Sequence, residues 1–263
     1  MRHSLAVFLL LTLAACSSDP TKDEKLTADQ LYTMAKESSE DHNYEKAVKQ
    51  FEKLQSRYPY GRYAQQAQME IAYAYYKHSE PAPAIAALDR FAKMYPNSKH
   101  LDYALYLKGL INFNENINSL LGTFFMQDPS ERDPAALRDS FDAFKELVTK
   151  FPDSKYTPDA RFRMQYLLIT LAKSEIHTAS YYLRRGAYVA AANRAKGVLT
   201  DYPQTPQTRE ALQILVQSYE AMGMNDLRDD AQRVLALNIA RDDERPKAKE
   251  TPQNASPWWK LWD

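Results

Sequence analysis

The residues from which catalysis is usually built are present in this chain but never gathered. His42, His78, His100 and His177 stand far apart, and none belongs to a His-Glu-x-x-His pair or a Cys-His set. No Gly-x-Ser-x-Gly elbow occurs, and six glycines in 263 residues supply no Gly-rich loop to cradle a phosphate. Carboxylate pairs such as Asp229-Asp230 and Asp242-Asp243 fall on a helix surface or in a tail, where a solvated charge is the ordinary reading. Cys16 is the only cysteine, which excludes an intramolecular disulfide and a multi-cysteine zinc site. No enzyme, metal site or redox cofactor is expected. Nucleic acid is not expected either, because 34 basic residues balance 34 acidic ones. What stands out instead is binding chemistry, carried by 18 tyrosines.

The amino terminus offers one covalent chemistry. Arg2 precedes the apolar run Leu5 to Leu13, which is too short to stay in a membrane as a helix. It ends in Leu13-Ala14-Ala15-Cys16, which resembles a bacterial lipobox; an ordinary signal-peptidase site would want a small residue where Leu13 stands. That resemblance implies a lipoprotein signal peptide over 1–15 and lipidation of Cys16 with an S-diacylglyceryl group and an N-acyl chain, typically palmitate. Several acyl chains anchor stably where one holds only marginally. Ser17 is not the Asp that retains such lipoproteins in the inner membrane, so the outer membrane is the expected location. Residues 16–25 are polar and read as a lipidated tether.

The rest of the chain is laid out by repeats. Tyr58-Pro59, Tyr95-Pro96, Phe151-Pro152 and Tyr202-Pro203 recur, the first two 37 residues apart, close to the 34 of a tetratricopeptide repeat. Twelve residues before each proline stands a small residue, Ala47, Ala84, Ser140 or Ala191, and twelve further back lie Ala35, Ala72 and Ala179. The second interval exceeds 37 by 19, and Gly109 to Ser140 exceeds 12 by the same 19. One insertion inside the third repeat accounts for both. Small residues let paired helix axes approach, and stripes such as Ala47, Phe51 and Leu54 fill the seam. Proline then stops each second helix, and Asn97-Ser98, Asp153-Ser154 and Thr205-Pro206 are expected to cap the helices that follow.

The expected fold is all-α, a solenoid of about five TPR-like helical hairpins over 26–240, with flexible termini. Its helices are placed near 27–41, 44–57, 62–78, 81–94, 99–117, 134–150, 158–185, 187–200, 206–222 and 225–240. Residues 26–117 form the amino-terminal repeats and 118–240 the carboxy-terminal ones, with the insertion over 116–134. The composition changes at Arg241, so 241–263 reads as a mobile tail.

Together these features resemble the BamD (ComL) family, lipoproteins of the outer-membrane β-barrel assembly machine. The match runs in order through Tyr58-Pro59-Tyr60-Gly61, Gln65-Gln66, Tyr73-Ala74-Tyr75-Tyr76-Lys77, Asp89-Arg90-Phe91, Arg132-Asp133-Pro134, Ala172-Lys173, Tyr181-Tyr182, Arg185-Gly186-Ala187, Asn193-Arg194 and Asp201-Tyr202-Pro203. The resemblance implies a non-catalytic assembly role. Its implied partners are the POTRA domains of BamA, other Bam lipoproteins and the carboxy-terminal strand of unfolded barrel proteins. A periplasmic TPR adaptor that recruits peptidoglycan enzymes is the alternative.

Binding residues follow from the repeat register. First helices line the groove of such an array. Counting from Ala35, Ala72 and Gly109, the groove receives Tyr32, Lys36 and Ser39, then Met69, Tyr73 and Tyr76, then Tyr106, Leu110 and Phe113, with Tyr103 one turn back. An extended peptide with an aromatic end suits such a surface, with Lys36 or Lys77 near its carboxylate. Arg194 lies on the side that the resemblance couples to BamA. Trp258, Trp259 and Trp262 are expected to anchor a partner or membrane contact. The apolar stretch Leu120 to Met126 either packs on its own repeats or meets a partner.

Overall fold

The computed structural model describes residues 26–117, Ser130 and residues 133–243. The leader, the tether with Cys16, most of the 116–134 insertion, and the tail beyond Asp243 with Trp258, Trp259 and Trp262 lie outside the described residues. Among the described residues there are ten α-helices and no strand. They are α1 (Ala28–Glu40), α2 (Tyr44–Arg57), α3 (Arg62–Lys77), α4 (Pro81–Met94), α5 (Leu101–Ile117), α6 (Ala135–Lys150), α7 (Thr157–Arg184), α8 (Tyr188–Asp201), α9 (Thr208–Ala221) and α10 (Asn225–Asp243). Each expected helix is found, with ends within three residues of those read from the sequence. No helix among the described residues is long and apolar enough to cross a membrane.

The small-residue register explains why these helices pair. Ala35, Ala47, Ala72, Ala84, Ser140, Ala179 and Ala191 are all fully buried. So are the stripes that follow them, Phe51 and Leu54, Phe144 and Leu147, Ala195 and Val198. Each alanine admits the neighbouring helix, and the larger side chains one and two turns on fill the space this leaves. Every second helix but the last ends at its aromatic-proline pair. Tyr58, Tyr95 and Tyr202 take φ of −125°, −130° and −128°, and each still donates its N–H to the carbonyl four residues back.

The turns inside the hairpins also repeat. His42, Ser79, Gly186 and Gly223 adopt φ of +60°, +62°, +74° and +70°. Members of each pair, 42 with 79 and 186 with 223, are 37 residues apart. In all four turns the next residue donates its N–H back to a helical carbonyl five residues earlier, the paired-bond closure that a left-handed residue permits. The loop caps differ from expectation. Ser98 and Ser154 accept from the N–H of His100 and Tyr156 two residues on, and Thr205 donates to the Tyr202 carbonyl at 2.8 Å, so these side chains close the connecting turns and not the helix ends.

The chain divides into two units. The first runs to Asn112 and takes in Lys150–Tyr156; the second holds Phe113–Thr149 and the residues from Thr157. In the first, α1 packs on α2, α2 on α3 and α3 on α4, with α1 also beside α3. Gln68, 2% exposed, is held by Gln55 at 2.8 Å and donates to the Ala87 carbonyl at 3.1 Å, so its amide is satisfied within the core. In the second, α7, α8, α9 and α10 pack in sequence around Ile176, Ala191, Ala195, Val198, Leu212 and Leu215. The last helix buries Ala231 but leaves Leu227, Val234 and Leu237 exposed, consistent with a terminal repeat.

Candidate functional site

In the first unit α1 and α3 lie side by side, and α5 supplies Tyr103 and Tyr106. Tyr32 and Lys36 share a face of α1 one turn apart, as do Glu70 and Tyr73 on α3. Glu70 joins the two helices. Its Oε1 and Oε2 accept from Lys36 Nζ at 2.9 and 3.0 Å, and Oε1 also accepts from the Tyr32 hydroxyl at 3.2 Å. The Tyr32 ring meets Phe51 edge-on at 5.7 Å and Tyr63 at 5.4 Å. At the other end Tyr106 stacks on Tyr156 at 4.8 Å with 20° between the planes, and Tyr103 approaches the same ring at 5.5 Å. Ring contacts of this kind add about 0.5–1.5 kcal/mol each beyond their burial.

The electrostatics follow from this crowding. Burial, then the charge and hydrogen bond of Glu70, push the Tyr32 phenol up to about 12. Burial also drives Tyr103 well above the ordinary phenol range, helped by the Tyr73 and Tyr156 hydroxyls, Glu70 and Tyr76. Those same influences place Tyr73, Tyr76, Tyr103, Tyr156 and Glu70 in one neighbourhood. The face is therefore a set of phenols over a carboxylate that is already paired. Half-buried rings can receive apolar groups, and their hydroxyls can donate to or accept from an extended backbone.

The structure redistributes the residues expected in the groove. Tyr32, Tyr73, Tyr76, Tyr103 and Tyr106 are half-buried, and Lys77 is exposed in the last turn of α3. Met69 and Ser39 are 9% and 8% exposed, so both are packing residues. Phe113 is 3% exposed and belongs to the second unit, with the Arg163 guanidinium 4.8 Å above its ring and Tyr166 5.6 Å from it. Lys36 is engaged by Glu70. The sequence reading missed Glu70, Tyr63 and Tyr156. Glu70 carried the one available signal, an acid beside Met69 in a helix otherwise apolar and aromatic at that point. Tyr156 lies outside the repeat positions from which the groove was counted.

The second unit places Arg194 in a cleft of about 540 Å³ lined also by Asp133, Arg138, Glu175, His177 and Tyr181. Glu175, only 16% exposed, bridges two half-exposed arginines, Arg138 at 3.2 Å and Arg194 at 3.1 Å. Such surface pairs contribute at most about 1 kcal/mol each, so they serve geometry more than stability. Among the described residues no group of three His, Cys, Asp or Glu side chains converges as a metal would need.

Comparison with known proteins adds a family. Residues 24–234 match the model of the family YfiO, described as outer membrane lipoprotein. The chain is 43% identical over 265 residues to the outer membrane protein assembly factor BamD of Neisseria meningitidis serogroup B, covering 98% of each chain. It is 34% identical over 237 residues to that of Vibrio cholerae serotype O1, covering 90% of this chain and 98% of the relative. Among solved structures, MamA aligns over 86% of this chain and 98% of that one at 15% identity, with a TM-score of 0.34, too slight a likeness to build on.

Proposed function

The chain belongs to the YfiO family of outer membrane lipoproteins, whose curated relatives are outer membrane protein assembly factors, and from that membership we propose that it is a non-catalytic subunit of the β-barrel assembly (BAM) complex. In this reading Cys16 carries the lipid anchor and holds the protein on the periplasmic face of the outer membrane. The tyrosine face of the first unit receives the carboxy-terminal strand of unfolded barrel proteins, with Lys77 at its rim. Arg194, presented with Arg138 by Glu175, meets the POTRA domains of BamA, while other Bam lipoproteins and the tail residues Trp258, Trp259 and Trp262 complete the contacts.

The observation that best supports a strand receptor is the run of half-buried tyrosines from Tyr32 to Tyr156. It combines ring area for the aromatic side chains of a strand with hydroxyls for its backbone. Tyrosine loses little entropy on binding, which is why it anchors extended partners well. The test is a pull-down from detergent-solubilised outer membranes through a tag near Asn254, with mass spectrometry of the retained proteins. Recovery of BamA in near-equal amount is the expected result. Recovery of peptidoglycan enzymes without BamA would replace this reading with that of an adaptor.

A further inference from the structure

A strand that ends a chain carries a carboxylate; Arg62 and Lys155 lie over the Tyr63 and Tyr156 rings at 4.7 and 5.0 Å, and the cation that shares a helix face with Tyr32 is Lys36. That cation is not available. Both Glu70 oxygens lie within 3.0 Å of Lys36 Nζ, and the Tyr32 hydroxyl donates to the same carboxylate. The Lys36 side chain is 39% exposed and that of Glu70 only 19%, so the acid lies deeper and draws the ammonium down onto the helix pair. Tyr73, Tyr76, Tyr103 and Tyr156 share this neighbourhood with Glu70. A carboxylate arriving at Lys36 would have to displace Glu70, leaving Glu70 uncompensated beside Tyr32 and Tyr103. A shielded charge that loses its partner is costly, whereas a neutral aromatic segment disturbs nothing.

We propose that Glu70 is the specificity-determining residue of this face: by holding Lys36 it withdraws that cation from an incoming chain, so that the face takes an aromatic stretch of extended chain alike whether or not the stretch ends in a carboxylate. The inference rests on the peptide-binding reading above and says which part of the strand is recognised. Recognition then depends on side chains and backbone within the strand, and an aromatic strand followed by further residues binds as well as one that ends the chain.

The test uses the full-length protein in detergent and fluorescence anisotropy with one strand peptide of alternating aromatic residues, made with either a free carboxylate or a carboxamide end. The wild type should bind the two with affinities within about twofold. Glu70→Gln, which frees Lys36, should turn this into a preference for the free acid of about fivefold, the size of one partly screened ion pair. Lys36→Gln serves as a second variant, and should change both affinities in the same proportion. A wild-type preference of more than about twofold for the free acid overturns the proposal; its loss in Lys77→Gln would assign the carboxylate to Lys77. An unchanged acid-to-amide ratio in folded Glu70→Gln overturns it as well. Failure of both peptides to bind removes the peptide reading itself, a different result from binding that prefers the acid.

Discussion

Lys36 and Glu70, 34 residues apart in sequence and on neighbouring first helices, form a two-oxygen ion pair at 2.9 and 3.0 Å that ties α1 to α3 beneath the tyrosine face. The pair spends the Lys36 charge and leaves phenols as the groups around it. Binding there should accordingly be driven by aromatic contact and be nearly indifferent to salt.

Tyr73→Ala combined with Tyr76→Ala should weaken a strand peptide by about tenfold, since two half-buried rings lose contact area while the core beneath is untouched. Anisotropy measures the affinity and a thermal melt checks the fold. Raising salt from 50 to 300 mM should shift the wild-type affinity by less than about twofold. An unchanged affinity in the double variant, with the melt intact, removes the face from the binding site.

Arg194 should behave in the opposite way. Arg194→Glu places a like charge about 3 Å from Glu175, and BamA should be lost from the pull-down while the melting temperature moves little, because both partners of that pair reach solvent. The wild-type association should also weaken with salt. Undiminished recovery of BamA would make Arg194 an ordinary solvated side chain.

Ser79 offers a stabilising change. It holds φ of +62° in an exposed turn whose equivalents near the carboxy terminus, Gly186 and Gly223, are glycines. Ser79→Gly should relieve about 1 kcal/mol of left-handed strain and raise the melting temperature by a few degrees. A lower melting temperature would mean that the entropy of the unfolded chain outweighs the strain.

Alkaline stability should follow the buried phenols. The folded-state pKa of Tyr32 is raised from 10.0 to about 12, so its contribution is fully present below pH 10 and is lost as pH rises through about 12. Tyr103 is shifted in the same direction. The melting temperature should therefore fall between pH 10 and 12, and Tyr32→Phe should flatten that fall. An identical slope in the variant would show that Tyr32 does not titrate with unfolding.

Much of this molecule is written locally. Ala35, Ala47, Ala72, Ala84, Ser140, Ala179 and Ala191 could be found from spacing alone, and all are fully buried. Proline after an aromatic ends a helix through steric clash within a few residues, so helix ends were legible for the same reason. In a repeat array each hairpin packs mainly on its neighbours, which lets a local register propagate into the fold. Which side chain faces outward is a finer matter. An α-helix turns about 100° per residue, so slight rotation of a packed helix carries a position from surface to core. Met69 and Phe113 were counted onto the groove by register but are buried, while Glu70, one residue from Met69, faces Lys36. Tyr156 joins the face from a connecting turn, and Glu175 gathers arginines 37 and 19 residues away. The sequence alone determined the helices and their pairing, because those depend on near neighbours. Only the tertiary structure decided which charges are already spent and which rings remain for a partner, because that depends on helix rotation and on contacts between residues far apart in the chain.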